Sequence, residues 1–317
     1  MTDALWLALG LGLLIKSADL FVQGASSIAT KAGVSPLVVG LTVVAFGTST
    51  PEMSVSLLAG IQSNPDLAIS NVIGSNIANV LLVLGIAAMI RPLPVQESTV
   101  VSEIPFSLTA ALLVGFLANA ALFSPLQELS ISRLDGVILL FFFALFMIYL
   151  FRIAHNGTTS EEEPGNELTG ARTTLYIGLG LIGLYFGGQL TVDGAIGVGR
   201  FFGVSDALIG LTIVAAGTSA PELVTSAVAA YRNQTDIAVG NVVGSNIFNL
   251  LLISGLTASV VDLPFDVVSN TDLAMVILSS ALIIFAMIVS RRSAVLRSHG
   301  AVFVLIYMAY IYYLIQR

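Results

Sequence analysis

The chain has 317 residues and a mass of 33.1 kDa, yet only 10% of it is charged while 56% is hydrophobic, with a mean hydropathy of +0.96. An ordinary soluble chain is about 25% charged, so these residues cannot cover a water-facing surface and the protein reads as integral to a membrane. With 12 Lys+Arg against 19 Asp+Glu and a net charge of −7 there is no basic stripe for nucleic acid, and with no cysteine there is no disulfide framework, thiolate metal site or thiol nucleophile.

Spanning helices need roughly 20 largely apolar residues, and the sequence predicts ten of them. The first five lie near 4–29, 35–61, 67–89, 104–123 and 135–154, the second five near 173–200, 205–231, 237–258, 271–290 and 300–316. Their apolar runs are continuous rather than alternating, which excludes a β-barrel. Met1-Thr2-Asp3 has no basic n-region, so the first span is expected to be a retained helix. The polar stretch 155–171, with Glu161-Glu162-Glu163, separates a first half, 1–154, from a second, 172–317. It reads as a solvated linker rather than a regulatory cation site. Ten spans put both termini on one side. Placing them outside leaves Lys31, Arg91, Arg152, Arg172, Arg232, Arg291, Arg292 and Arg297 inside, against Arg133, Arg200 and Arg317 outside, which predicts a cytoplasmic linker. The expected location is the plasma (inner) membrane, with the bilayer and the transported ions as the partners and no obligate protein partner evident.

The halves repeat. Gly40-Leu41-Thr42-Val43-Val44-Ala45-Phe46-Gly47-Thr48-Ser49-Thr50-Pro51-Glu52 recurs 170 residues later as Gly210-Leu211-Thr212-Ile213-Val214-Ala215-Ala216-Gly217-Thr218-Ser219-Ala220-Pro221-Glu222. At the same offset Asn71-Val72-Ile73-Gly74-Ser75-Asn76-Ile77-Ala78-Asn79 recurs as Asn241-Val242-Val243-Gly244-Ser245-Asn246-Ile247-Phe248-Asn249, and about half of the positions in 35–85 and 205–255 are identical. Five spans per half is an odd number, so the second copy enters the membrane from the opposite side. The expected fold is all-α, two inverted five-helix repeats with broken helices at the midplane.

Each Gly-Thr-Ser-x-Pro-Glu falls inside an apolar span. Proline has no N–H to donate there, so the helix should break around 47–51 and 217–221, and the freed carbonyls need a cavity or a ligand. Thr48, Ser49, Thr218 and Ser219 add hydroxyls, and Glu52 and Glu222 add one carboxylate per half at a cost of ~3 kcal/mol or more each. Ser75 and Asn79, like Ser245 and Asn249, are spaced i, i+4 and share a helix face. Gly74 and Gly244 would permit close helix contact. Such an oxygen-rich set, without thiolate or imidazole, suits Ca²⁺ or Na⁺ rather than a softer metal. Asp19 and Asp193, on the first helix of each half, read as a local ion pair or interfacial charge, Asp19 lying three residues beyond Lys16. The alternative is an acidic vestibule. Lys31 and Arg200, near span ends, read as snorkelling anchors.

The paired Gly-Thr-Ser-x-Pro-Glu and Gly-Ser-Asn-Ile-x-Asn motifs resemble the α-repeats of the Ca²⁺:cation antiporters, and most of all their compact prokaryotic sodium/calcium exchangers. The resemblance covers practically the whole chain. It implies Ca²⁺ between Glu52 and Glu222, with backbone carbonyls at Thr48 and Thr218. It places Na⁺ sites at Ala45, Ser49, Ser75, Ala215, Ser219 and Ser245, polar corners at Asn79 and Asn249, and sliding of spans one and six across the other eight. Some relatives carry Asp where this chain has Asn249, so the site holds at most two formal negative charges. The short linker also lacks the calcium-sensing domain of animal relatives.

The function expected from these residues is Na⁺/Ca²⁺ antiport by alternating access, with no cofactor and no enzymatic activity. The alternative is H⁺/Ca²⁺ antiport, since buried carboxylates can also carry protons. An intramembrane hydrolase using Ser49 or Ser219 would need a base within hydrogen-bond reach. The two histidines, His155 and His299, lie in polar stretches, and only Lys16 is an intramembrane amine. A passive channel fits the inverted design less well than one occluded midplane site.

Overall fold

The computed structural model describes residues 2–62, 64–95, 102–120, 129–156, 168–203, 215–290 and 293–316. Most of the predicted linker, the beginning of the seventh predicted span with residues 210–214 of the repeated motif, and residues 291–292 lie outside the described residues.

The regular structure of the described residues is helical apart from four two-residue strands. In order the helices are α1 (Thr2–Ala32), α2 (Pro36–Thr48), α3 (Thr50–Ile61), α4 (Pro65–Ile90), α5 (Glu103–Ala118), α6 (Arg133–Asn156), α7 (Gly170–Phe201), α8 (Ala215–Thr218), α9 (Ala220–Tyr231), α10 (Thr235–Val260), α11 (Ser269–Ser290) and α12 (Arg297–Gln316). Among the described residues seven helices are long and apolar enough to cross a membrane, and α2 with α3, bent by 48° at their junction, makes an eighth. Of the other two predicted spans, α5 is shorter than expected at 16 residues, and the seventh is described only from Ala215. Burial ranks the helices. In its most apolar stretch α10 is 94% buried and α4 72%, against 17% for α6 and α12. The first two form the centre; the second two present side chains such as Phe141, Phe151 and Leu305 outward, as lipid contact requires.

Sequence chemistry explains the breaks. Pro51 and Pro221 occupy the second position of α3 and α9, where a missing N–H costs nothing to the new helix but ends the previous one. The junction residues adopt nearly the same non-helical backbone in both halves, Ser49 at φ −82°, ψ 6° and Ser219 at φ −86°, ψ 9°. Three further stretches are wound as π-helix: Gly40–Val44 in α2, Asn79–Leu84 in α4 and Phe248–Ile253 in α10. Such turns shift the hydrogen-bond ladder by one residue and cluster at functional sites.

The two halves interlock. Helices α1 and α7 run antiparallel, with Gly10 against Thr191, Gly24 against Ile177 and Gly194 against Leu7. One end of the pair is pinned where Thr173 Oγ1 lies 2.8 Å from Ser27 Oγ and accepts from Lys31 Nζ at 3.0 Å. The strands exchange partners across the halves: β1 (Leu93–Pro94) pairs antiparallel with β4 (Ala294–Val295), and β2 (Ser130–Ile131) with β3 (Leu263–Pro264). Beside them α12 crosses α4 where Gly300 meets Gly85, and α6 crosses α10 where Gly136 meets Gly255.

At the centre α2 lies on α10 with backbones nearly touching. A Cβ added at Gly240 would come within 2.8 Å of the Leu37 carbonyl oxygen and 3.0 Å of Gly40 Cα. Gly244 has the same role against Ala45, as the sequence predicts. The segment that the repeat would set against Gly74 begins outside the described residues. Backbone atoms cannot yield as a side chain can, so Gly240→Ala is expected to destabilise the protein by about 1–3 kcal/mol. Gly12→Ala, at an exposed position with nothing within 4 Å, should be neutral or stabilising through helix propensity. Thermal unfolding of the two purified variants checks the contrast.

Candidate functional site

Both conserved-spacing carboxylates of the repeat sit in the interior. Glu52 in the first turn of α3 and Glu222 in the first turn of α9 are fully buried. Each is held by the serine at the other half's helix break: Ser49 Oγ donates to Glu222 Oε1 at 3.0 Å, and Ser219 Oγ donates to Glu52 Oε1 at 3.3 Å. The hydroxyls of Thr48 and Ser245 also approach the Glu222 carboxylate. The two breaks are thus joined crosswise, each supplying the hydroxyl that the other's carboxylate accepts.

Around this pair the polar atoms are under-used. Glu52 Oε2, Glu222 Oε2, Ser75 Oγ and both amide atoms of Asn79 and of Asn249 are buried and have no hydrogen-bond partner among the described residues. A buried polar atom left unsatisfied costs about 1–3 kcal/mol, so a native structure keeps such a cluster only where something else satisfies it. Asn79 opens one π-helical turn and Asn249 lies in another. Ser245 is fully buried, its Oγ 3.5 Å from Thr48 Oγ1.

Of the twelve residues predicted for the site, Glu52, Glu222, Thr48, Ser49, Ser219 and Ser245 are brought together by hydrogen bonds or direct approach. Ser75, Asn79 and Asn249 are buried on the two central helices. Thr218 ends α8, and its hydroxyl contacts Asn71 Oδ1 at 3.5 Å. Ala45 begins the last turn before the first break, and its carbonyl already accepts from Ser49 N at 3.0 Å. Ala215 begins α8, and its side chain lies outside the described residues. Among the described residues no cluster of three or more His, Cys, Asp or Glu side chains could hold a metal, so the charge of the site is that of two carboxylates.

Sequence reasoning left four residues of this neighbourhood without a role. Asn241 Nδ2 donates to Ser226 Oγ at 2.9 Å and to the Glu222 carbonyl at 3.4 Å, and Asn71 Nδ2 donates to Ser56 Oγ at 2.9 Å and to the Glu52 carbonyl at 3.2 Å. The signal was present, since Asn71/Asn241 and Ser56/Ser226 are identical pairs at the repeat offset of 170. Asp19, expected to form a local ion pair or to be an interfacial charge, forms an ion pair with Arg232, at the end of α9 in the other half, and accepts from Gln23 Nε2 at 3.1 Å, which corrects the local-pair reading alone. Asp193 is exposed on α7.

The sequence profile of the family described as "Sodium/calcium exchanger protein" matches residues 2–152 and 172–316. The chain belongs to that family. Among its relatives it is 35% identical to the "Putative antiporter CaxA" of Alkalimonas amylolytica, over 99% of each chain. It is also 35% identical to the "Inner membrane protein YrbG" of Escherichia coli, over 90% of this chain and 88% of that one. Among solved structures, the sodium-calcium exchanger NCX_Mj soaked with zero Na⁺ and Ca²⁺ superposes with a TM-score of 0.82 at 34% identity, covering 98% of this chain and 97% of the other. This exchanger-family chain is therefore a multi-pass membrane protein, and its similarity extends from end to end.

Proposed function

We propose that the chain is a secondary antiporter that exchanges Na⁺ for Ca²⁺ by alternating access, with both ions as substrates at one midplane site. The observation that carries this reading is the crosswise pair Glu52 and Glu222, fully buried, each with one oxygen held by a serine of the other half and one oxygen without a hydrogen-bond partner among the described residues. Two buried carboxylates close enough to share a hydroxyl network repel each other and want a cation. A dehydrated Ca²⁺ neutralises both, as do two Na⁺. The remaining donors are neutral oxygens, from the breaks at Thr48, Ser49, Thr218 and Ser219 and from Ser75, Ser245, Asn79 and Asn249, with Ala45 and Ala215 contributing through the backbone. A family whose solved member is called a sodium-calcium exchanger supports Na⁺ as the counter-ion. The second reading, H⁺ in place of Na⁺, draws on the same carboxylates.

We read the architecture as ten spans in two inverted repeats, 1–154 and 172–317, joined by a cytoplasmic linker at 155–171, in an inner membrane with both termini outside. The antiparallel course of α1 and α7 and the reciprocal serine–glutamate contacts support an inverted relation, since equivalent elements of two oppositely inserted halves meet in that way. Access would alternate by movement of the α1/α7 pair over the remainder.

In proteoliposomes at fixed pH, an imposed Na⁺ gradient should drive Ca²⁺ uptake, and Glu52→Gln and Glu222→Gln should each abolish it while leaving folded, membrane-inserted protein. Near-normal flux in either variant would refute the site. A pH gradient that drives Ca²⁺ where a Na⁺ gradient does not would select the proton reading. Orientation is checked separately in this cysteine-free chain: cysteine placed at Thr2 should react with an impermeant external thiol reagent, and cysteine placed at Ser160 should not.

Asn249 sets the charge. Asn249→Asp adds a third carboxylate where the amide now has no partner among the described residues, so Ca²⁺ uptake should vary with pH more steeply than in the parent as that group titrates. Initial uptake rates across a pH series measure it, and identical profiles with unchanged affinity would remove Asn249 from the site.

A further inference from the structure

The site just described needs oxygen lone pairs, and a hydroxyl presents a lone pair only if its proton is occupied elsewhere. The hydrogen bonds of Asn241 determine where the Thr48 proton goes. A backbone carbonyl can only accept, so the end of the Asn241 amide facing the Glu222 carbonyl, 3.4 Å away, must be Nδ2. The amide flip is thereby fixed by chemistry, and the other end, Oδ1, lies 3.0 Å from Thr48 Oγ1. An amide oxygen accepts and never donates, so it takes the Thr48 proton at 3.0 Å, in preference to the Ala45 carbonyl, which lies farther off at 3.4 Å. The Thr48 lone pairs are left for the side on which the Glu222 carboxylate and Ser245 Oγ lie. The other half repeats the two asparagine contacts, Asn71 Nδ2 facing the Glu52 carbonyl at 3.2 Å and Asn71 Oδ1 accepting from Thr218 Oγ1 at 3.5 Å.

We infer that Asn71 and Asn241 are positioning residues for ion binding, which hold the hydroxyl protons of Thr218 and Thr48 away from the ion and so keep these two oxygens available as ligands. The inference rests on the exchange site proposed above. Without Asn241 the Thr48 proton is free to turn to the Glu222 carboxylate, a charge-assisted bond of the stronger kind, and a cation must then break that bond to bind. The asparagine touches no ion in this scheme. It also ties the helix break of one half to the glutamate-bearing helix of the other, since one amide contacts both Thr48 in α2 and Glu222 in α9.

The test is a double-mutant cycle on the full-length protein, read by the KM for Ca²⁺ and the maximal rate in proteoliposomes and by Ca²⁺-dependent thermal stabilisation of the purified protein. Asn241→Ala should raise KM about three- to tenfold, the loss of one directed hydrogen bond, with little change in maximal rate. Thr48→Val, which keeps the backbone and removes the hydroxyl, should do the same, and the double variant should be no worse than the poorer single one. Should Asn241→Ala fail to fold, Asn71→Ala with Thr218→Val forms the second cycle, Asn71 being only half-buried. An unchanged KM, or an asparagine effect of equal size with and without the threonine hydroxyl, would overturn the inference. That outcome is distinct from failure of the site itself, in which Glu52→Gln and Glu222→Gln would retain Ca²⁺ stabilisation.

Discussion

Two carboxylates buried at the centre of an apolar bundle are the constraint from which the rest of this structure follows. Neither Glu52 nor Glu222 is exposed in this structure, and each placement is costly. The chain meets the cost by breaking a helix beside each one. The break releases a serine to the opposite carboxylate, and proline at the second position of the new helix makes the break permanent. Once the breaks must face one another, the central helices α4 and α10 must approach them closely. Hence the run of small residues where α2 lies on α10, and the π-helical turns that carry Asn79 and Asn249 inward.

What sequence could convey was governed by how local the chemistry is. The breaks were legible because proline's missing N–H acts at its own position, and the carboxylates were legible because Glu is conspicuous in an apolar run. The repeated Ser and Asn positions were legible by their recurrence at one offset. The π-helical turns were not, because a one-residue shift of hydrogen bonds leaves no mark in composition or periodicity. For Asp19 the spacing offered a local ion pair or an interfacial charge, whereas its partner Arg232 stands 213 residues away; helical spacing ranks candidates along one helix and is blind to those on another. Asn71 and Asn241 were visible as repeated residues but had no assignable role until the carbonyls of Glu52 and Glu222 were seen to face them.

The crossings at the ends of the halves were hidden for a related reason. Repeat identity is dense over 35–85 and fades outside it, so nothing in the sequence announces that α6 will pack on α10 and α12 on α4. In the structure these contacts are reciprocal, Gly136 with Gly255 and Gly85 with Gly300, and each is continued by a short strand pair. Membrane helices gain little from apolar burial against one another, and such close glycine crossings supply the van der Waals contact that replaces it.

The exchange of strands and final helices between halves has a consequence for biosynthesis. When residue 156 has left the ribosome, Leu93–Pro94, Ser130–Ile131 and the Gly136 face of α6 have all been made, but each of their partners lies beyond residue 250. These contacts of the first half can therefore form only once the second has been made. Domain-by-domain maturation, the usual course for long chains, cannot by itself complete these crossings and strand pairs.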